Sequence, residues 1–306
     1  MTSAILIPFK GESAVIESCL RTLLPLTPKE TRVVVIVDGG KRPNLADHPE
    51  VTLLSHEQTK GPAAARNTGI EWCMKHDIAL VILLDADCSA LPGMVEAHRA
   101  LHEKYPGVFC IGGAIRGSGA GPWAYLDRVM SWFTSMEHLP ERVVEPPLHL
   151  PTTNMSLKLN ARVRPLAVFD EQLKTGEDVA FVGRLRAAEE QLLFSPEPKV
   201  IHHDRTTFQS FVRHQVRWGL HTYVVRFGPS GLALWKRALF IVGFLPLIPF
   251  FAGYATWLNM RPWLSGFPGD FYLVPAVFIA YLVKAFAIVR GAQSPSVALF
   301  PAGRVV

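Results

Sequence analysis

Hydrophobic and polar positions divide this chain into two unlike parts. Through residue 207, short apolar runs alternate with stretches of helical spacing. Residues 4–7 form an apolar run closed by Pro8 and predict a strand. Val15, Ile16, Cys19, Leu20 and Leu23 recur at helical intervals and predict a helix over residues 12–24. Residues 32–37 are a β-branched run that ends at Asp38-Gly39-Gly40. A further strand is predicted over residues 51–54. Gly61-Pro62 opens a helix over residues 63–75, with the proline near its first turn. Residues 79–84 repeat the buried-strand signal and end at Asp85. Continuous apolar strands suit a parallel sheet covered on both faces. Their alternation with helices predicts a doubly wound α/β domain. In such a sheet the ligand lies beyond the carboxyl ends of the strands. Those ends carry Pro8-Phe9-Lys10, Asp38-Gly39-Gly40 and Asp85-Ala86-Asp87, which points to one polar site.

The last third of the chain has another pattern. Residues 238–260 carry no charge. As a helix they reach about 34 Å, enough to cross a hydrocarbon core about 30 Å thick. Pro246 and Pro249 predict a kink there. Residues 271–289 are apolar except for Lys284, which is expected to snorkel to the headgroups. Trp257, Trp263 and Tyr272 fall near the span ends, as interfacial aromatics do. The competing reading is a pair of buried core helices. Two spans joined through residues 261–270 make a transmembrane hairpin with both outer ends on one side. That side carries Lys236, Arg237, Lys284, Arg290 and Arg304, against Arg261 in the turn. The bias places the N-terminal domain at the cytoplasmic face of the inner membrane, in a multi-pass protein. Residues 208–227 mix apolar positions with Arg213, Arg217 and Arg226. They read as an amphipathic interfacial helix or as a basic face of the catalytic domain. The expected organisation is therefore a catalytic domain over residues 1–207, an interfacial region over 208–237, and a hairpin with tail over 238–306.

Composition narrows the function classes. The chain is 49% hydrophobic and 19% charged over 306 residues, too apolar for a disordered protein. Cys19, Cys73, Cys88 and Cys110 form no C-x-x-C pair, so they read as buried thiols in a reducing compartment. Pro8 and Lys10 interrupt the first apolar run, and no secretory signal is expected. Residues 199–237 hold seven Lys or Arg against one acid, Asp204. Because this basic stretch leads straight into an apolar span, nucleic acid ranks last among its partners.

The polar site is of an unusual kind for a nucleotide. No G-x-G-x-x-G follows the first strand, and no P-loop sequence occurs. A nucleotide held without a P-loop still needs its phosphate charge neutralised. Asp85-Ala86-Asp87 offers two carboxylates at i, i+2, which face one way on an extended chain and suit Mg²⁺ or Mn²⁺.

These residues, in order, resemble the family 2 glycosyltransferases of GT-A fold over about the first 220 residues. Ile5-Leu6-Ile7-Pro8-Phe9-Lys10-Gly11-Glu12 resembles the family's opening strand and "IPxxNE" turn, with Gly11 in place of Asn. Val35-Ile36-Val37-Asp38-Gly39-Gly40 resembles "VVDDGS" with one Asp remaining. Residues 61–69, Gly-Pro-Ala-Ala-Ala-Arg-Asn-Thr-Gly, are similar to "GxAxARNxG", the most specific match. Asp85-Ala86-Asp87 matches the D-x-D stretch, Thr153-Asn154-Met155-Ser156 an acceptor-side segment, and Glu177-Asp178 the "ED" motif. Arg217-Trp218 resembles the end of the "QxxRW" of membrane-bound members, with His214 in place of Gln or Arg.

The resemblance implies an inverting, metal-dependent transfer of a sugar from a UDP-, GDP- or dTDP-sugar to an acceptor hydroxyl, and the hairpin, which tethers the site to a bilayer, points to a lipid or lipid-linked acceptor. It implies that Asp178, beside Glu177, is the general base and that Asp87 acts on the departing diphosphate through a cation. Asp85, His202 and His203 are the further candidate metal ligands. Pro8, Glu12, Asp38, Arg66, Asp85, Arg217 and Trp218 are the candidate donor-binding residues. Each has a plain structural alternative: an Asx turn at Asp38, surface positions on a helix for Arg66 and Asn67, first-turn charges at Glu177 and Asp178. A nucleotidyltransferase and an inactive membrane scaffold are the rival functions. Residues 118–150, rich in Pro and aromatics, are the expected acceptor-facing region.

Overall fold

The computed structural model describes residues 1–160, 165–228 and 231–293. Arg304 and the rest of the tail lie outside the described residues. Among the described residues nine strands form one sheet: β1 (Ser3–Phe9), β2 (Thr31–Asp38), β3 (Val51–His56), β4 (Leu80–Leu84), β5 (Cys88–Ala90), β6 (Cys110–Ser118), β7 (Arg142–Val143), β8 (Asn154–Lys158) and β9 (Leu192–His203). Their order is β3-β2-β1-β4-β8-β6-β9-β5, with β7 added on β9. The helices are α1 (Ser13–Leu23), α2 (Pro62–Lys75), α3 (Met94–Lys104), α4 (Pro122–Trp132), α5 (Glu177–Ala187), α6 (Phe208–Phe227), α7 (Leu234–Phe244), α8 (Ile248–Gly266) and α9 (Val274–Gln293).

The first half is parallel, as expected: β1 pairs β2 and β4, and β2 pairs β3. Alternate residues of β1 feed opposite layers. Ile5, Ile7 and Phe9 pack with Ile16, Cys19 and Leu20 of α1. Ala4 and Leu6 pack in the cluster that holds Ala65, Ile70 and Cys73 of α2. The small residues of α2 have a packing reason. A Cβ on Gly69 would lie 2.8 Å from Leu6 Cδ1 and 3.0 Å from Ile36 Cδ1, so the helix sits closer to the sheet than a side chain there permits.

The second half supplies the antiparallel part of a GT-A sheet expected to be mostly, not wholly, parallel. β8 enters antiparallel between β4 and β6, and β5 and β7 pair antiparallel with β9; in this half only β6 with β9 is parallel. The connection from β6 to β8 carries α4 and β7 and returns the chain antiparallel beside β6, which makes the sheet mixed. All four cysteines are free and buried.

A polar network lies under β8. Asn154 Nδ2 donates to the carbonyls of Ala114 and Pro198, and its Oδ1 is 2.9 Å from His98 Nε2. Ser156 Oγ joins His98 Nδ1 and His102 Nε2 at 2.8 and 2.9 Å. Burial pushes His98 down to about 4 and His102 to about 3. Both therefore fold neutral. The stability they contribute is complete above their unfolded value near 6.5 and is lost as pH falls toward those depressed values. Thermal unfolding in detergent should show a falling melting temperature from pH 7 to pH 5. The expected cost is on the order of 2 kcal/mol per histidine at pH 5, and a flat profile would contradict the buried neutral pair.

The C-terminal helices include two stretches long and apolar enough to cross a membrane, Leu234–Gly266 and Pro268–Gln293. The kink expected at Pro246 and Pro249 is a 3₁₀ turn, Leu245–Leu247, between α7 and α8. The turn between the stretches is shorter than expected, because α8 runs on to Gly266 through Pro262. Trp257 and Tyr272 are exposed, whereas Trp263 is buried. Lys284 corrects a further expectation. It does not reach for headgroups: α9 packs on α6, and Lys284 Nζ lies 4.8 Å from the centre of the Trp218 ring.

Candidate active site

The carboxyl end of β4, the segment before β8, the starts of α2 and α5, the end of β9 and one face of α6 surround a cavity of about 330 Å³. Arg66, in the second turn of α2, lies at its floor. Its Nη1 donates to Glu177 Oε1 at 2.6 Å and its Nη2 to Asp85 Oδ1 at 3.0 Å. Thr153 Oγ1 donates to the other oxygen of Asp85 at 2.8 Å. One guanidinium thus ties the D-x-D strand end to the first turn of α5, which lies 111 residues further on. Thr153 and Asn154, at the turn into β8, divide their roles. The first faces the cavity, and the second is fully buried behind it.

Asp87 and Asp178 line the same cavity. Asp178 sits beside Glu177 in the first turn of α5, after Gly176 at φ 79°. A Cβ on Gly176 would meet Val225 Cγ2 at 2.8 Å, so α5 begins in close contact with α6. His149 Nε2 is 3.9 Å from Asp178 Oδ2. Burial raises the Asp178 carboxyl above its ordinary range, and the nearby Asp85 carboxylate adds to this. Burial also holds His149 down at about 4, so it stands neutral beside Asp178.

Elsewhere in the lining, β5 pairs with β9 so that Cys88 faces His202. This register brings Asp87 Oδ2 to 3.5 Å from His202 Nε2. Burial pulls His202 down, but the Asp87 carboxylate and Asp204 outweigh it and raise the ring to about 9. Burial pushes Asp87 up, and the His202 charge overrides this and holds it below the usual range. Without a metal these two form an ion pair. His202 Nδ1 is buried without a hydrogen bond. Among the described residues no group of three or more His, Cys, Asp or Glu side chains is arranged to hold a metal ion. Asp87 and His202, 3.5 Å apart, are the pair here that would hold a divalent cation. Such an ion completes its shell with phosphate oxygens and water.

The other sequence candidates separate clearly. His203 points away from the cavity, as the neighbour of His202 on a strand must, and is exposed with its Nδ1 3.1 Å from Ser118 Oγ. Asp38 is buried and committed to the backbone. It accepts from Lys60 N and Gly61 N at 2.8 Å each and from His56 Nδ1 at 2.9 Å, fixing the loop that starts α2. Neither Asp38, Pro8 nor Glu12 lines the cavity. Trp218 does, and Arg217 stands exposed on another face of α6.

Sequence reasoning missed several wall residues. His149, Lys174, Arg205, His214 and Lys284 all reach the cavity. Arg205 and His214 belong to the basic stretch already noted, whereas Lys284 was read as a lipid-facing residue. His214, His221, Thr222 and Val225 share one face of α6 with Trp218, a helical spacing visible in the sequence once the helix is known. From residues 118–150, Ser131, Trp132 and His149 reach the cavity, while Trp123 packs on Phe208 and Tyr125 on Trp263.

The family model of Glycosyl transferase family 2 matches residues 4–159, about half of the chain. The pre-mycofactocin glycosyltransferase of Mycobacterium tuberculosis is 27% identical over 226 residues, which cover 70% of this chain and 45% of that protein. The chain thus spans about half the length of that relative. Glycosyltransferase AglE of Haloferax volcanii is 27% identical over 266 residues, covering 80% of this chain and 82% of the relative. The mannosyltransferase PcManGT from Pyrobaculum calidifontis, solved with GDP-Man and Mn²⁺, superposes with a TM-score of 0.60 at 13% identity, over 96% of this chain and 86% of its own. GalNAc-T7, solved with UDP, GalNAc and Mn²⁺, superposes with a TM-score of 0.53 at 18% identity, over 67% and 44%. At these identities the two structures speak for the fold, which is GT-A. The family match covers β1 to β8, with Arg66 and the D-x-D turn of this cavity, and the chain belongs to glycosyl transferase family 2.

Proposed function

We propose that the protein is an inverting, metal-dependent glycosyltransferase. It moves a sugar from a nucleotide-sugar donor to a hydroxyl of a lipid or lipid-linked acceptor at a membrane face. The observation that carries this reading is the shared cavity, which Asp87, His202 and Asp178 all line. Single displacement needs a leaving-group stabiliser and a base on opposite sides of the reacting carbon. Asp178 takes the proton of the acceptor hydroxyl at its carboxylate. Arg66 and Thr153 hold Asp85 in one orientation, which leaves its free lone pairs for donor hydroxyls. Arg205 and Lys284 supply cationic groups for the diphosphate. Asp87 and His202 would hold a divalent cation, which when bound supplies charge neutralisation for that leaving group. The solved relatives with UDP or GDP-Man and Mn²⁺ support the donor class and the metal. A lipid acceptor is supported by the cavity wall itself. Lys284 comes from α9, a helix with exposed apolar residues such as Ile279 and Phe286.

The test is nucleoside diphosphate release from UDP-, GDP- and dTDP-sugars by the detergent-solubilised chain in Mn²⁺ or Mg²⁺. Asp87→Ala should lower kcat about 10²-fold in saturating metal, the scale of losing one charge-stabilising group. Wild-type turnover by that variant would overturn the mechanism. Pyrophosphate release would indicate nucleotidyl transfer, and absence of nucleotide binding by calorimetry would indicate a scaffold.

A further inference from the structure

The two long apolar stretches pass a length test for crossing a bilayer, but their contacts describe another arrangement. α6 and α9 run side by side in the same direction. Trp218 meets Lys284, Gly219 meets Lys284 and Ala287, Leu220 meets Gly291, and Tyr223 and Val224 pack with Ile288 and Ala292. The approach is at backbone distance, since a Cβ on Gly219 would lie 2.4 Å from Lys284 O and one on Gly291 would lie 2.4 Å from Leu220 O. α6 itself forms a wall of the catalytic cavity. α9 is therefore laid along the globular domain for much of its length.

The turn between α8 and α9 also touches that domain. Tyr125 OH of α4 donates to Asp270, and Trp263 Nε1 donates to the same carboxylate at 2.7 Å. His138, in the loop after α4, donates from Nε2 to Pro262 O at 3.0 Å and meets the Phe267 ring edge-on at 5.3 Å between centres. A Cβ on Gly266 would lie 2.5 Å from the His138 ring. At the other end, Phe240 of α7 packs on Tyr223 and Phe227 of α6. Both ends of the hairpin are thus seated on the same domain. In a hairpin that crosses the membrane, the turn lies on the far side of about 30 Å of hydrocarbon. Contacts with Tyr125 and His138 could not then exist.

We propose that the hairpin lies in the plane of a single leaflet, as a monotopic docking surface with its turn on the catalytic side. The face turned away from the domain carries Leu239, Val242, Phe250, Tyr254, Trp257 and Ile279, each between 52% and 75% exposed. The occupant of this face is a leaflet with anionic headgroups, and charge argues for it. Residues 208–293 hold eight Lys or Arg and a single acid, Asp270, which is occupied by Tyr125 and Trp263. Lys236 and Arg261 are exposed and lie beside Trp235 and Trp257, at 5.3 and 5.5 Å from the ring centres. Basic side chains next to exposed tryptophans belong at headgroup depth. Docked this way, the apolar face would bring the cavity alongside the acyl region and let a lipid-borne hydroxyl reach it without crossing the bilayer.

Cysteine accessibility tests this on the full chain. Gly269→Cys marks the turn and Gly107→Cys marks the globular domain; a Cβ at either site meets nothing within 4 Å. The natural cysteines are all buried and give a low background. In sealed inverted vesicles a membrane-impermeant maleimide should label both variants from the same side. Labelling of the turn only from the side opposite Gly107→Cys would overturn the proposal and establish a crossing hairpin. Flotation of the purified chain supplies the second measurement. It should rise with phosphatidylcholine vesicles that contain phosphatidylglycerol, and more weakly with phosphatidylcholine alone. A detergent-free dimer that floats with neither would show that a second copy covers the face, and would overturn it too.

Discussion

Asp178→Asn should lower kcat for sugar transfer by about 10³-fold, with donor affinity little changed. The size follows from the contribution of a positioned general base. Asparagine keeps the shape of the side chain and its Oδ1 contact with the Val179 amide, 2.8 Å in the parent. It cannot take a proton. The pH profile of the parent enzyme gives an independent readout. A base whose pKa is raised by burial loses activity as pH falls through that raised value, so the acid limb should lie above the ordinary aspartate range. The sign for stability is opposite. A carboxyl with a raised folded pKa favours the protonated fold, so at neutral pH its charge works against folding. The Asn variant should therefore melt higher than the parent while turning over far more slowly. A variant with both lower stability and proportionately lower activity would show that Asp178 is a structural residue.

Arg66→Met should be the most destabilising single change in the site. Arg66 is 4% exposed and is shared between Glu177 and Asp85. Methionine fills similar volume but leaves two carboxylates facing one another without a cation. Removing one partner of a buried ion pair costs about 3–5 kcal/mol, because the remaining charge stays buried and unpaired. The melting temperature should fall by on the order of 10 °C. Adding Glu177→Gln to Arg66→Met removes one stranded charge and should recover part of that loss, though not the activity. If the double variant melts no higher than the single one, the loss comes from packing rather than charge.

Much of this was written in local patterns. The parallel half-sheet follows from β-branched runs that end at Asp38 and Asp85, and α1 and α2 follow from apolar spacing and Pro62. Asp85, Asp87, Arg66, Glu177, Asp178 and His202 meet in one cavity, because each stands at a strand end or helix start that faces the same edge of the sheet. Asp38 shows where that reasoning overreached. It occupies such a strand end, yet the 57–61 loop folds back and consumes both its oxygens. His203 stands outside the cavity by strand alternation, which becomes readable only once the register of β9 against β5 is known.

The sequence by itself determined the alternation of layers, the existence of the first four strands and the residue types of the site, because these depend on periodicity and on short-range turn chemistry. Only the tertiary structure decided that β8 enters antiparallel, that one guanidinium joins α2 to α5, and that a lysine of the last helix lines the catalytic cavity. The physical reason is the same in each case. Hydrophobic spacing tells which face of an element is buried, but the partner that covers it is selected by long-range packing. At Gly219 and Gly291 a missing side chain lets α6 and α9 approach closely enough to choose one another.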